Sequence, residues 1–167
     1  LAAMTAAREA GRTVALDLDY RPYSWVSAVD AARTYRTAAG VTDLVVGNDE
    51  EFDVMAGGDG GQALARDIAA EGRIAVYKEG EKGSRTFTPE GEIATGIFAV
   101  GALKPMGAGD AFMAGLAATL AGTGALAEAL HRGSAAAAMV VADKGCAPAM
   151  PTAASLDAFI AEHPAPP

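Results

Sequence analysis

Lys104-Pro105-Met106-Gly107-Ala108-Gly109-Asp110-Ala111-Phe112-Met113-Ala114-Gly115 joins a proline-bearing loop to a small-residue turn and then to an apolar, Ala-rich segment. The pattern predicts a helix over 108–121. Gly107, Ala108 and Gly109 let an anion approach the backbone closely. The first N–H groups of a helix have no intrahelical acceptor, and with the helix dipole they make an anion site. Asp110 falls in the first turn, where a carboxylate beside a bound anion is unfavourable unless it has a task. The task that suits it is taking a proton from a substrate hydroxyl while the amides hold the charge on a transferring phosphoryl group. An ordinary helix start has the same pattern, since acids favour the first turn, so the turn alone leaves both readings open.

Working upstream, strands and helices alternate. Residues 1–11 read as the end of a helix stopped by Gly11, 13–18 as a short strand, and 27–39 as a helix capped by Ser27. A strand over 42–47 delivers Asn48 and Glu51 to the start of another helix. An amide and a carboxylate three residues apart share one helical face and can orient magnesium-bound water; the same spacing is that of an N-cap and its capping box. A helix over 62–71, a strand over 73–78, a turn at Gly80 to Gly83, a returning strand over 84–88 and a short strand over 92–97 follow. This order implies a mostly parallel α/β sheet with an antiparallel addition. Asp17 and Asp19 fall at a strand's carboxyl end, where α/β proteins place their sites. Arg21 has the planar fork that suits a phosphate, or it closes an ion pair within the Asp17–Arg21 loop. Lys78 reads either as a phosphate contact or as a solvated strand-end lysine. The Gly57–Gly61 run lacks the Lys-Ser or Lys-Thr of a P-loop.

Working downstream, a second helix is expected from Thr123 or Gly124 to about Asp143, its Ala135–Ala138 run suited to close packing. Pro148 and Pro151 enforce an extended segment, Thr152 caps a last helix over 153–162, and residues 164–167 form a frayed tail.

Taken together, the motifs resemble those of the ribokinase/PfkB carbohydrate kinases. The G-A-G-D turn at 107–110 is joined by Asn48-Asp49-Glu50-Glu51, similar to the N-x-x-E motif, and by Lys78-Glu79-Gly80-Glu81-Lys82-Gly83, similar to a nucleotide-side T-x-G-x-x-G segment. Gly145-Cys146-Ala147-Pro148-Ala149-Met150-Pro151-Thr152 resembles the closing G-A-x-x-x-x-P-T segment. Asp17-Leu18-Asp19-Tyr20-Arg21-Pro22-Tyr23-Ser24-Trp25, Leu103-Lys104-Pro105, Arg132-Gly133-Ser134 and Gly145-Cys146-Ala147-Pro148 are similar to the 5-dehydro-2-deoxygluconokinase subgroup. The general family has D-T-x before G-A-G-D; this chain has Lys104-Pro105-Met106.

The resemblance implies a ribokinase-like three-layer sandwich and an ATP-dependent kinase acting on a primary hydroxyl of a sugar or sugar acid. It makes 5-dehydro-2-deoxygluconate the substrate, with 2-keto-3-deoxygluconate or another sugar as the alternative, or else an inactive nucleotide-binding fragment. Asp110 would be the base and Gly107, Ala108 and Gly109 the anion hole. Asn48, Glu51, Lys78, Gly80, Gly83 and Ala147 would serve the nucleotide, and Asp17, Arg21 and Asp110 the sugar. Asn48 and Glu51 would reach magnesium through water, and a monovalent cation would sit near Ala147. Family members are typically about twice as long, and the chain begins at Leu1 within an apparent helix. The expectation is the C-terminal part of a kinase domain over 1–163, partnered by a missing N-terminal half or by a second copy.

Composition sets the outer bounds. The chain has 167 residues, enough for a real core, and its net charge of −8 argues against nucleic acid, which requires a basic face. No apolar run is long enough for a membrane helix, and Arg8 and Glu9 interrupt the N-terminal apolar stretch, so a cytoplasmic protein is expected. One cysteine and two histidines, in no metal-ligand spacing, give neither a disulfide framework nor a zinc site.

Overall fold

The computed structural model describes residues 1–104 and 106–164. Pro105, and residues 165–167 of the expected tail, lie outside the described residues. The chain forms two compact units, one from residues 1–80 and 84–94, the other from 81–83 and 95–167.

The first unit begins with α1 (Ala2–Glu9). Gly11, at φ +67°, ends it as expected: Gly11 N–H donates to Arg8 O and Arg12 N–H to Ala7 O, the paired bonds of a Schellman stop. Strands β1 (Ala15–Asp17), β2 (Leu44–Asn48), β3 (Ile74–Lys78), β4 (Ser84–Thr88) and β5 (Gly91–Thr95) form a sheet in the order β1-β2-β3-β4-β5. β1, β2 and β3 are parallel, and β3 and β4 antiparallel, as the sequence indicated. Between them lie α2 (Ala28–Ala39), α3 (Asp49–Ala56) and α4 (Gly61–Ala70).

Side chains of a strand alternate between faces. The face with Val45, Ala75, Tyr77 and Phe87 packs with Ala31 and Tyr35 of α2, Phe52 and Met55 of α3, and Ala65 and Ile68 of α4. The register puts Asp17, Asn48, Lys78 and Ser84 together on the opposite face. Two arginines close helix ends: Arg36 donates to Met55 O and Ala56 O at the end of α3, and Arg73 to Ala39 O at the end of α2. A guanidinium there satisfies orphan carbonyls and meets the negative end of the dipole. The glycine run after α3 is tied down rather than loose, because Asp53 Oδ1 accepts from Gly60 N (3.2 Å) and Gly61 N (2.8 Å).

The second unit is built on α5 (Ala108–Gly122), α6 (Leu126–Ala142) and α7 (Ala153–Glu162). Two glycines let α5 and α6 approach at backbone distance. A Cβ on Gly115 would lie 2.9 Å from Arg132 O, and one on Gly133 would lie 3.0 Å from Phe112 O. Ala135, Ala136 and Ala138 are buried with Phe98, Val140 and Leu156. α6 starts later than the sequence suggested. Gly124 is left-handed at φ +71°, Ala125 is extended, and Thr123 Oγ1 is engaged by the Ala125 N–H and Glu128. His131 has a packing role, its ring 5.1 Å from that of Phe98. Among the described residues no helix is long and apolar enough to cross a membrane.

Candidate active site

In the first unit the predicted polar residues gather where the parallel strands end. Asn48 caps α3. Its Oδ1 accepts the Glu51 N–H at 2.8 Å, and Glu51 Oε2 accepts the Asn48 N–H at 2.7 Å. The capping box is therefore complete. The second Glu51 oxygen is also used: Oε1 accepts the Tyr20 N–H at 3.1 Å, across 31 residues of sequence. Glu51 is buried at 8 % exposure. Both oxygens keep lone-pair capacity for water, which is what an outer-sphere role toward magnesium requires. Among the described residues, no group of three or more His, Cys, Asp or Glu side chains is placed to bind a metal directly.

The Glu51–Tyr20 bond anchors the loop after β1. Asp19 sits there at φ +39°, the one described non-glycine residue with positive φ, a conformation Asp tolerates better than most. Gly47 leaves room beneath, since a Cβ there would meet Leu18 Cδ1 at 2.7 Å. Arg21 pairs with Asp19 at 2.6 Å, an ion pair within the loop. Asp17 instead faces Lys78 Nζ at 3.9 Å; both are well under half exposed, so Lys78 is not a solvated strand-end lysine. Trp25 and Tyr20 pack edge-on against Tyr35, with centroids at 5.2 and 6.5 Å, while Tyr23 stays 86 % exposed.

In the second unit Gly107 is the N-cap of α5, left-handed at φ +88°. A Cβ on it would come within 3.2 Å of Val140 Cγ1 and 3.4 Å of Cys146 Sγ. Glycine is required both for the turn and for its seat against α6. The first intrahelical bond runs from Ala111 N to Gly107 O at 3.0 Å, and no side chain caps the helix. The amides of Ala108, Gly109 and Asp110 precede that bond. They present three donors and the positive end of a 15-residue helix to an incoming anion. Asp110 is exposed within this first turn.

Of the remaining expected residues, Gly80 opens a 3-10 turn (Gly80–Lys82) at φ +59°. Gly83, at φ +88°, lies against the backbone, so that a Cβ would strike Thr95 O. Ala147 is exposed and starts another 3-10 turn (Ala147–Ala149). Two clefts, of about 520 and 590 Å³, lie on the outer faces of α3 and α5, and neither is lined by Asn48, Glu51 or Asp110. Two site contacts were missed by the sequence reading: the Glu51 bond to Tyr20, and the Lys104 contact with Val140. Neither leaves a local signal, since each joins segments more than 30 residues apart.

The profile of the pfkB family carbohydrate kinases matches residues 1–153. The chain belongs to that family. A 5-dehydro-2-deoxygluconokinase from Photobacterium profundum is 44% identical over 167 residues, covering 96% of this chain and 50% of its own length. The chain thus spans about half the length of the curated relatives it matches. Among solved structures, aminoimidazole riboside kinase from Salmonella enterica, complexed with aminoimidazole riboside and an ATP analog, superposes with a TM-score of 0.87 at 26% identity. The match covers 96% of this chain and 56% of the kinase. A double-mutant fructokinase from Vibrio cholerae O395, in fructose, ADP and potassium ion bound form, gives 0.83 at 27%, covering 95% and 54%. The fold is ribokinase-like, a five-stranded mixed sheet with flanking helices.

Proposed function

We propose that this chain is the nucleotide-binding part of an ATP-dependent kinase that phosphorylates a primary hydroxyl of a sugar acid, 5-dehydro-2-deoxygluconate. The observation that carries the reading is the uncapped start of α5, with Asp110 exposed in its first turn. Asp110 takes the hydroxyl proton, and the amides of Ala108, Gly109 and Asp110 hold the charge on the transferring group. Positioning and charge stabilisation dominate phosphoryl transfer in general.

The ATP analog and ADP in the two solved relatives support nucleotide as the co-substrate. Asn48 and Glu51 would hold magnesium through water, where the metal neutralises phosphate charge; their box fixes both side chains for that purpose. Asp17, Lys78 and Arg21 line the strand ends as sugar or phosphate contacts, and Gly80, Gly83 and Ala147 serve the nucleotide. The sugar name rests on the 44%-identical relative. A monovalent cation is suggested by the potassium in the fructokinase. Around Ala147 two carbonyls each already accept one N–H, Ala147 O from Met150 and Cys146 O from Ala149.

The test is ATP-dependent phosphorylation by the complete gene product of 5-dehydro-2-deoxygluconate, beside 2-keto-3-deoxygluconate and fructose. Preference for the first supports the assignment. Activity only on another of the three overturns the sugar and keeps the kinase, and ATP binding without turnover leaves a nucleotide-binding module. Asp110→Asn should lower kcat by about a hundredfold or more with ATP binding nearly intact. Near-normal turnover would remove Asp110 from the reaction.

A further inference from the structure

Where the general family pattern starts with a carboxylate, this chain has the ammonium of Lys104. Its Nζ lies 3.0 Å from Met106 O and 3.5 Å from Val140 O. The same residue is tied down by its backbone. The Leu103 and Lys104 N–H groups both donate to Val141 O, at 2.7 and 3.3 Å. Val140 and Val141 belong to the last turn of α6, which has no basic residue of its own. The carbonyl end of that helix, where the dipole is negative, is therefore met by a charge from another segment.

Backbone carbonyls converging from two segments are the ligands that replace the hydration shell of a monovalent cation. An alkylammonium carries the same single charge as potassium and offers up to three donors to such oxygens. Lys104 already supplies that charge, and a free cation on the same carbonyls would face it at close range, which like charges disfavour. The position matters because of what adjoins it. Met106, whose carbonyl the ammonium holds, precedes Gly107, and Gly107 is seated against Val140 and Cys146. The ammonium thus bridges the end of α6 to the residue that enters the anion-binding turn.

We propose that Lys104 is a tethered monovalent cation: its ammonium takes the carbonyl ligands at the end of α6 and in the turn before α5, and fixes that turn without a free potassium ion. The inference rests on the kinase reading above for its catalytic consequence, though not for its effect on stability. Lys104 is a positioning residue, acting through the turn rather than on the substrate.

The experiment compares potassium and sodium buffers of equal ionic strength, reading initial rates and melting temperatures of the complete gene product. The natural protein should turn over within about twofold in the two buffers and melt at the same temperature in both. Lys104→Met should lose about tenfold to a hundredfold in kcat in sodium, with little change in the sugar KM. It should also melt earlier in sodium, and potassium or ammonium should restore both rate and melting temperature. Severalfold activation of the natural protein by potassium overturns the proposal. So does a Lys104→Met variant with full rate and unchanged melting in sodium. Should that variant fail to fold, the two-buffer comparison of the natural protein decides alone. Should no sugar be phosphorylated, the kinase reading falls, while the melting temperatures still decide whether potassium binds beside Lys104.

Discussion

The starts of α3 and α5 each carry an acid in the first turn and are built in opposite ways. At α3 side chains take up the amides of Asn48, Glu50 and Glu51, the first and last by the reciprocal capping box, and Asp49, Glu50 and Glu51 place three carboxylates around the turn. At α5 a left-handed glycine opens the helix, no side chain caps it, and the single acid is Asp110. The first turn of α3 repels an anion and favours a cation with its water. The first turn of α5 favours an anion. An acid at a helix start therefore says little until the fate of the amides is known.

The sharpest way to break the comparison is to make α5 resemble an ordinary helix start. Gly107→Ala places a Cβ at φ +88°, within 3.2 Å of Val140 and 3.4 Å of Cys146. Left-handed backbone and crowding together should cost about 2 kcal/mol in urea unfolding. Displacement of the turn should lower kcat by about a hundredfold in the complete protein. Equal loss of stability with turnover untouched would mean that the turn only caps the helix.

The converse change weakens the start of α3. Glu51→Gln keeps one acceptor and turns a donor toward a backbone N–H, either of Asn48 or of Tyr20. A loss of about 1–3 kcal/mol is expected from the buried unsatisfied group. If Glu51 also acts through magnesium-bound water, the magnesium concentration for half-maximal rate should rise. A lower melting temperature with an unchanged magnesium titration would leave Glu51 as the strut of the capping box and the Asp19 loop.

How much of this was legible in the sequence follows from the range of each interaction. Ser27, Asn48 and Thr152 announced their caps because a cap bonds a backbone group a few residues away. The Ser84–Thr88 strand and the Ala153–Glu162 helix carry their boundaries in local turn and cap chemistry. The late start of α6 was misplaced because it depends on the left-handed Gly124 and on Thr123 bonding forward to Glu128. That Arg21 pairs with Asp19 was not legible, because the positive φ of Asp19 turns the loop and Glu51 supports that loop from another element. Lys104 could be recognised as unusual in the motif, but its charge acquires meaning only when α6 folds back to it.

The smallest expected effect also distinguishes the two units. All four tyrosines, Tyr20, Tyr23, Tyr35 and Tyr77, lie in residues 1–80. Burial raises the Tyr35 phenol above its ordinary value of 10.0, although a hydrogen bond with Trp25 works the other way; burial likewise raises Tyr77. The folded state therefore holds these phenols protonated where the unfolded chain begins to ionise. Their contribution is fully present below the unfolded value and is lost as pH rises through the raised folded one. Stability of the first unit should fall there by up to about 1.4 kcal/mol per pH unit for each phenol. Tyrosinate absorbance followed with urea melts across that range checks it. Tyr35→Phe should flatten the alkaline fall while costing only about 1 kcal/mol at neutral pH. An alkaline profile unchanged by Tyr35→Phe would mean that the phenol of Tyr35 ionises as readily in the folded protein as in the unfolded chain.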